Sequence, residues 1–313
     1  MELKLTMDHK TFLSKTFPDF VNQWNKYAQQ LKTLETNIDK WVITSDYCLD
    51  DKNRANDIMT FSIFPLCLAP LLKQGIKEHL NEDLKHTTKL SDFAIKFIKE
   101  FPYIFSICVI IKDKNNIVQI DQNKEILDKL ILSMKKWPEN KQKEFSKIKT
   151  LRDYFNRKNA DKKTLSEICI VCHIMSIIIE FLMIKSHAKQ IIWISDRDAI
   201  TNFQDGIISE LVRIGYANLI HNRVPDHEVF AAVKGKDYEK DLYDELIRIP
   251  DYISGTVADI DFQDKDKATD KHYTLFDQSI VGNERIFLME IDKDGISSVS
   301  VSRNDNIIAQ HKL

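Results

Sequence analysis

The sequence predicts an α/β protein with a mixed β-sheet, a large helical insertion and a C-terminal β-hairpin. Apolar runs of strand length occur at 41–46, 58–64, 103–111 and 190–195, and longer segments with helical periodicity separate them. Only 7 Gly and 7 Pro occur in 313 residues, which favours few loops and a high helix content. A chain of this length with 43% hydrophobic residues can bury a sizeable core without cross-links.

The first segment, residues 11–40, predicts an amphipathic helix. Its apolar side chains recur at three- and four-residue spacing: Phe17, Phe20, Val21, Trp24, Tyr27 and Leu31. Packing of this helix on its own domain is the default expectation, and docking onto a protein partner is the alternative.

The strands follow from their patterns. The runs at 41–46 and 58–64 predict a hairpin, because the turn at 50–56 between them is short and charged. The runs at 103–111 and 190–195 lack alternation, which is typical of central strands that are buried on both faces.

The helices fill the remaining sequence. We expect one at 66–80, one that begins after Ser91 as its N-cap, and a helical insertion at 122–187. A further helix is predicted from Phe203 to Leu219. Another carries Asp251 and ends near Asp259.

The C-terminal part predicts an acidic loop at 259–272 and a hairpin of 285–291 with 296–302. We therefore expect an N-terminal helix in residues 1–40, a main domain in 41–260, and the acidic loop and hairpin in 261–313.

An apolar stretch at 168–184 raises the question of a membrane span. Glu180 would be costly in lipid, so a buried central helix is favoured over a membrane-associated toxin. The segment Cys169–His173 matches the c-type haem attachment signature, but its apolar helical context favours buried cysteines. Residues 1–8 lack the apolar core of a signal peptide, so we expect a cytoplasmic protein that does not enter a membrane.

Acidic side chains occur at the ends of two apolar runs, 41–46 and 190–195, and within a further apolar stretch at 246–253. The first cluster is Asp46 with Asp50 and Asp51, the second is Asp196 with Asp198, and the third is Asp251. Carboxylates at strand ends are held rigidly, and several of them brought together bind hard divalent cations. Asp also commonly ends strands and caps helices, which is the structural alternative.

The order of these elements resembles the domain-of-unknown-function family numbered thirty-eight hundred, whose members are ribonuclease H-like and are regarded as nucleases. That family opens with an Asp-Glu-Ser-Gly motif, of which Asp46 alone is shared here. Residues 83–90 are similar to the family's Lys-containing motif, and residues 103–112 are similar to a strand of the family that ends in Lys. Residues 192–196 are similar to a strand of the family that ends in Asp. Residues 248–255 are similar to a C-terminal helix of the family that has Asp near its start.

The resemblance spans about residues 40–260 and implies a nuclease that depends on Mg²⁺ or Mn²⁺. Asp46, Asp196 and Asp251 would bind metal, with Asp198 or Asp50 as a further carboxylate. Lys85 would contact the scissile phosphate or orient a carboxylate. Families of this kind occur in mobile or antiviral gene clusters, which implies a defence or toxin role.

Nucleic acid, DNA or RNA, would need a local basic surface, because the net charge of −2 creates no attractive global field. The stretch 135–163 carries eleven Lys or Arg against four Asp or Glu. Its expected phosphate contacts are Lys141, Lys143, Lys147, Lys149 and Arg152. The interleaved Trp137, Phe145 and Tyr154 either stack on bases or form the buried face of a helix.

A second hypothesis for the chain is a non-catalytic binding or regulatory subunit on a decayed nuclease scaffold. The altered opening motif favours this hypothesis, and the presence of all three Asp opposes it. The sequence leaves the oligomeric state open.

Overall fold

The computed structural model describes most of the chain and organises it around one eight-stranded sheet. The described residues are 11–80, 82–112, 120–139, 142, 147–196, 199–203, 206–219, 228–233, 244–262, 268–292, 295–299, 301 and 310–312.

The strands of this sheet are β1 Lys40–Cys48, β2 Asp57–Pro65, β3 Phe105–Ile111, β4 Gln190–Ser195, β5 Glu228–Val233, β6 Ile286–Asp292, β7 Gly295–Val299 and β8 Gln310–Lys312.

The helices are α1 Phe12–Thr16, α2 Pro18–Leu31, α3 Ala69–His79, α4 Asp92–Glu100, α5 Ile120–Met134, α6 Lys147–Phe155, α7 Lys162–Lys185, α8 Ala199–Asn202, α9 Ile208–Leu219, α10 Asp244–Asp259 and α11 Asp270–Leu275. Short 3₁₀ turns at Lys32–Leu34 and Leu66–Leu68 and a π turn at Phe276–Ile280 complete them.

The strand order is β5-β4-β1-β2-β3-β6-β7-β8, and the sheet is mixed. Strands β1, β2 and β3 are antiparallel neighbours, and β4 and β5 add in parallel on the β1 side. Strand β6 pairs in parallel with β3, and β7 and β8 extend that side by antiparallel pairing. The predicted α/β class, the first hairpin and the internal positions of β3 and β4 are confirmed.

Helices cover both faces of the sheet, so its central strands are apolar on both sides. On β1, Trp41 and Ile43 pack with α2 and α7, whereas Val42 packs with α3, α4 and α10. We call these the α7 face and the α10 face. All seven residues of β3 are buried, which explains why its sequence shows no alternation.

The N-terminal helix belongs to the α7 face. The ring of Trp24 lies 5.7 Å from Trp41, 5.3 Å from Phe105 and 5.1 Å from Phe181, measured between ring centroids. The apolar face of residues 11–40 is therefore buried in the chain's own core, which agrees with the expectation that this segment packs on its own domain. The α-helix ends earlier than predicted, at Leu31, and a 3₁₀ turn at Lys32–Leu34 followed by irregular chain leads into β1.

Helix α7 contains the apolar stretch 168–184. Within the described residues it is the one helix that is long and apolar enough to cross a membrane, over Lys163–Lys185, and 78% of its apolar window is buried. The buried Glu180 accepts a hydrogen bond from the N–H of Phe12 at 3.1 Å, which ties α1 to this helix. The expectation of a buried central helix agrees with this packing.

Two expectations about helices were wrong in detail. The helix predicted from Phe203 begins at Ile208, because Gly206 adopts a left-handed φ of +75° that ends the preceding turn. Asp251 does not lie near the start of its helix, since α10 begins at Asp244 and runs through Pro250.

Candidate functional site

Asp46 and Asp196 lie at the same end of two neighbouring parallel strands. Strand β1 pairs with β4 in a register that sets Ser45 beside Ser195, and each aspartate is the next residue of its chain. Val42 and Ile194 lie on the α10 face, so the two-residue alternation directs both aspartates toward that face. Two carboxylates thus emerge side by side beneath α10.

Helix α10 brings Asp251 over the same end of the sheet. One turn after Asp251, the Ser254 hydroxyl donates a hydrogen bond to Oδ2 of Asp46. The same hydroxyl lies 3.3 Å from the carbonyl oxygen of Asp251. Ser254 is fully buried, and it joins the helix to the carboxylate on β1.

The end of α10 is held by the turn between β1 and β2. The N–H groups of Ala55 and Asn56 donate to the carbonyl of Ala258 at 2.9 and 3.0 Å. The Asn56 side-chain amide donates to the carbonyls of Val257 and Ile260 at 3.1 and 2.7 Å. Because the hairpin that carries Asp46 caps the helix that carries Asp251, the two elements are positioned together.

The loop between α3 and α4 closes another side of the site. The N–H of Leu84 donates to Oδ2 of Asp251 at 2.8 Å. Lys85 follows at once, with its side chain 65% exposed and its ammonium 3.9 Å from the carboxylate of Asp83. The positive charge of Lys85 also acts on Asp251. The structure therefore places Lys85 beside this carboxylate.

Burial raises the pKa of the Asp251 carboxyl to about 6. The Leu84 N–H and Lys85 lower the pKa, and the negative charges of Asp83 and Asp196 raise it. A carboxyl whose pKa is raised by burial and by neighbouring acids is frequent at functional sites. The contribution of Asp196 to the raised pKa of Asp251 indicates that the two side chains lie near each other.

The other acidic candidates have different positions. Asp50 lies in the hairpin turn, where its carboxylate is 2.8 Å from the ammonium of Lys163 and its φ is +60°. Asp51 is 3.6 Å from Arg54. The structure thus pairs Asp50 with a lysine of the insertion, and the expectation of Asp50 as a further carboxylate remains a hypothesis. Asp198 lies outside the described residues.

The basic stretch 135–163 is described in part. Lys141, Lys143 and Phe145 lie outside the described residues. Lys147 and Lys149 are exposed on α6, whereas Arg152 of the same helix donates to Asp128 at 2.9 Å.

The two described aromatic residues of this stretch, Trp137 and Tyr154, pack against the rest of the chain. Trp137 is 6% exposed and belongs to the core of the α7 face. The ring of Tyr154 lies 5.3 Å from Phe203, and its hydroxyl accepts a hydrogen bond from the N–H of Asp161 at 2.8 Å. The sequence left two interpretations open for these rings, base stacking and a buried helix face. Trp137 belongs to a buried helix face, and its burial excludes base stacking by this ring.

Of the two cysteines of the haem-like motif, Cys172 is buried and Cys169 is half-buried. Cys169 and Cys172 lie on α7, and burial raises the pKa of the Cys169 thiol to about 12. Cys172 is 8% exposed and packs in the core. Their burial agrees with the expectation of structural cysteines.

The carboxylates converge without forming a closed metal cage. Among the residues that the structure describes, no group of three or more His, Cys, Asp or Glu side chains has the arrangement to hold a metal ion. The donors are nevertheless oxygen atoms, the type that Mg²⁺ and Mn²⁺ prefer. Mg²⁺ is commonly bound through one or two carboxylates, water and substrate phosphates.

Two contributors to the site could not be recognised from the sequence. Ser254 touches Asp46 from a residue 208 positions away, and the N–H of Leu84 is a backbone group with no residue signature. The three-residue step from Asp251 to Ser254 is a detectable signal, because it sets both side chains on neighbouring positions of a helix face.

No protein-family model, curated protein or solved structure matches this chain at a significant level. The assignment of the site therefore depends on its own geometry and chemistry.

Proposed function

We propose that this chain is a divalent-metal-dependent nuclease with a ribonuclease H-like sheet. The observation that carries the proposal is the β1–β4 register, which sets Asp46 and Asp196 side by side with Asp251 of α10 on the same face. An antiparallel β1–β2–β3 unit with β4 and β5 added in parallel beside β1 supports this sheet type.

The three aspartates would hold Mg²⁺ or Mn²⁺ between the strand ends and α10. When bound there, such a cation activates water and stabilises the leaving oxygen in phosphodiester cleavage. Ser254 orients Asp46 by its hydrogen bond, and the N–H of Leu84 orients Asp251. The ammonium of Lys85 binds a phosphate oxygen of the substrate beside them.

Cleavage of fluorescent single-stranded and duplex DNA and RNA in Mg²⁺ or Mn²⁺ tests the proposal. We expect Asp46→Asn, Asp196→Asn and Asp251→Asn each to lower the cleavage rate by about 100-fold or more, because the charge that develops on the phosphate loses its electrostatic partner. Asp19→Asn is the matched control, since Asp19 is exposed on α2 at the opposite face of the sheet.

Cleavage by the Asp196→Asn variant at the wild-type rate would contradict the proposal. A wild-type protein that binds nucleic acid but cleaves none of these substrates supports the alternative of a non-catalytic scaffold.

A further inference from the structure

We propose that the loop between α3 and α4 and the aromatic pair at its base bind single-stranded nucleic acid. This surface consists of Lys85, His86, Lys89 and Phe93, with His79 behind Phe93, and we call it the α3–α4 surface. The inference rests on the proposed nuclease function and adds the substrate class and the path of the strand beside the carboxylates.

The loop is held rigidly against α10 and α11 by its backbone. Lys271 of α11 donates to the carbonyls of Leu84 and Thr87 at 2.9 and 2.7 Å. The Tyr252 hydroxyl donates to the carbonyl of Glu82 at 3.1 Å. Leu84 is held from the other side by Asp251 at 2.8 Å. A loop fixed in this way presents its outward side chains at constant positions beside the site.

The outward side chains of the loop are cations and hydroxyls. Leu84, Thr87 and Leu90 are buried, whereas Lys85, His86, Thr88 and Lys89 are exposed. The acidic residues lie at the two ends of the segment, Glu82 and Asp83 before Lys85 and Asp92 after Lys89. The stretch from Lys85 to Lys89 therefore offers donors to phosphate oxygens without an intervening carboxylate.

An exposed aromatic ring lies where the loop joins α4. Phe93 is 69% exposed. The His79 ring at the end of α3 is stacked on it, with centroids 6.0 Å apart and an interplanar angle of 18°. His79 also packs 5.4 Å from the ring of Phe97, which fixes it from below. One face of Phe93 is thus supported by a ring while the side chain as a whole faces solvent.

These features fit a single strand better than a duplex. Lys89 and Phe93 are four positions apart in the chain, a span of at most about 14 Å even for an extended chain. A strand that passes Asp251 meets Lys85, then Lys89, and then an aromatic face on which a base can stack. Stacking needs an unpaired base, and phosphate contacts next to an aromatic platform are typical of single-strand binding.

The first arm of the test measures the phosphate contacts. Fluorescence anisotropy of labelled oligothymidine and oligouridine of about 16 nucleotides is recorded with the full chain in EDTA, which prevents cleavage. We expect the double variant Lys85→Ala/Lys89→Ala to weaken binding and to reduce the slope of log K against log salt by about 1.4, two single-strand phosphates. The control Lys26→Ala/Lys32→Ala removes the same charge from α2 and from the 3₁₀ turn that follows it, on the other face of the sheet.

The second arm measures the stacking. We expect Phe93→Ala to weaken single-strand binding roughly 5- to 150-fold, the range for loss of one base–aromatic stack, while the salt slope stays unchanged. Phe93→Trp should keep or improve the affinity. The control Leu132→Ala truncates another exposed apolar side chain, 60% exposed on α5. A duplex of the same length should bind more weakly than the single strand and should not respond to Phe93→Ala.

The outcomes separate the two proposals. Wild-type affinity and salt slope in the Lys85/Lys89 and Phe93 variants overturn the α3–α4 surface, whereas cleavage of an oligonucleotide by the wild-type protein in Mg²⁺ or Mn²⁺ leaves the nuclease proposal intact. Equal binding of duplex and single strand overturns the substrate class. Absence of binding to every oligonucleotide overturns the α3–α4 surface, and absence of cleavage in Mg²⁺ or Mn²⁺ as well overturns both proposals.

Discussion

At the scale of single residues, Asp251 shows the conflict that a charged site creates in a folded protein. Its carboxyl is desolvated between α10 and the α3–α4 loop, and the negative charges of Asp83 and Asp196 add to the cost of ionising it. The Leu84 N–H compensates in part. Such a carboxyl destabilises the fold when it is charged, and it is retained only if another interaction uses the charge.

The pH dependence of stability follows from this raised pKa. The folded-state pKa, about 6, lies above the ordinary value of 3.8 for an aspartate, so the folded state binds the proton more tightly than the unfolded state. The contribution of Asp251 to stability is therefore present below pH 4 and is lost as the pH rises through 6. The full shift corresponds to an upper limit of about 3 kcal/mol.

We predict that Asp251→Asn raises the melting temperature at pH 8 and leaves it nearly unchanged at pH 4. The asparagine oxygen still accepts the hydrogen bond from Leu84, so only the charge is removed. Thermal unfolding in metal-free buffer at the two pH values is the measurement. Asp19→Asn, on the exposed side of α2, is the control. An equal shift of the melting temperature of the Asp251 variant at both pH values would show that the charge of Asp251 does not cause the shift.

At the scale of elements, the ammonium group of Lys271 is one of the anchors of the α3–α4 loop. Lys271 donates to two loop carbonyls, those of Leu84 and Thr87. We predict that Lys271→Met lowers the free energy of unfolding by about 1–3 kcal/mol, because partly buried carbonyls lose a charged donor. Urea denaturation measures the loss.

A matched variant separates this hydrogen bonding from simple loss of charge. Lys89→Met removes the same charge from an exposed side chain of the same loop and should leave stability within about 0.5 kcal/mol of wild type. Lys271→Arg should recover part of the stability because it keeps the donors. Equal stability of the two methionine variants would rule out the anchoring role of Lys271.

At the scale of the whole molecule, α2 makes the N-terminal segment part of the main core. Trp24 contacts Trp41 of β1, Phe105 of β3 and Phe181 of α7, so it joins elements that are far apart in sequence. Residues 11–31 therefore pack as an integral layer of the fold on its α7 face.

We predict that Trp24→Ala lowers the stability of the whole domain by about 3–5 kcal/mol, the usual cost of removing a large buried aromatic ring. Near- and far-ultraviolet circular dichroism should follow one shared unfolding transition. Asn22→Ala on the exposed side of α2 is the control. A separate early transition for α2 would instead indicate that residues 11–31 unfold independently.

The secondary structure was predictable where local pattern dominates. The hairpin of β1 and β2, the buried strands β3 and β4 and the amphipathic α2 were recognised from apolar periodicity. Strand β5 lies in a charged segment and was missed. The start of α9 was misplaced because the left-handed turn at Gly206 was not recognised.

The sequence by itself determined most strands, most helices and the acidic residues near the ends of β1 and β4, because apolar runs and the carboxylates at their ends are local properties. Only the tertiary structure decided that β4 lies parallel to β1 in the register that sets Asp46 beside Asp196. It also decided that Ser254 and Leu84 hold the carboxylates and that Phe93 remains exposed beside Lys89. These relations join residues up to 208 positions apart, and they depend on how the sheet and its helices pack, which no local pattern encodes.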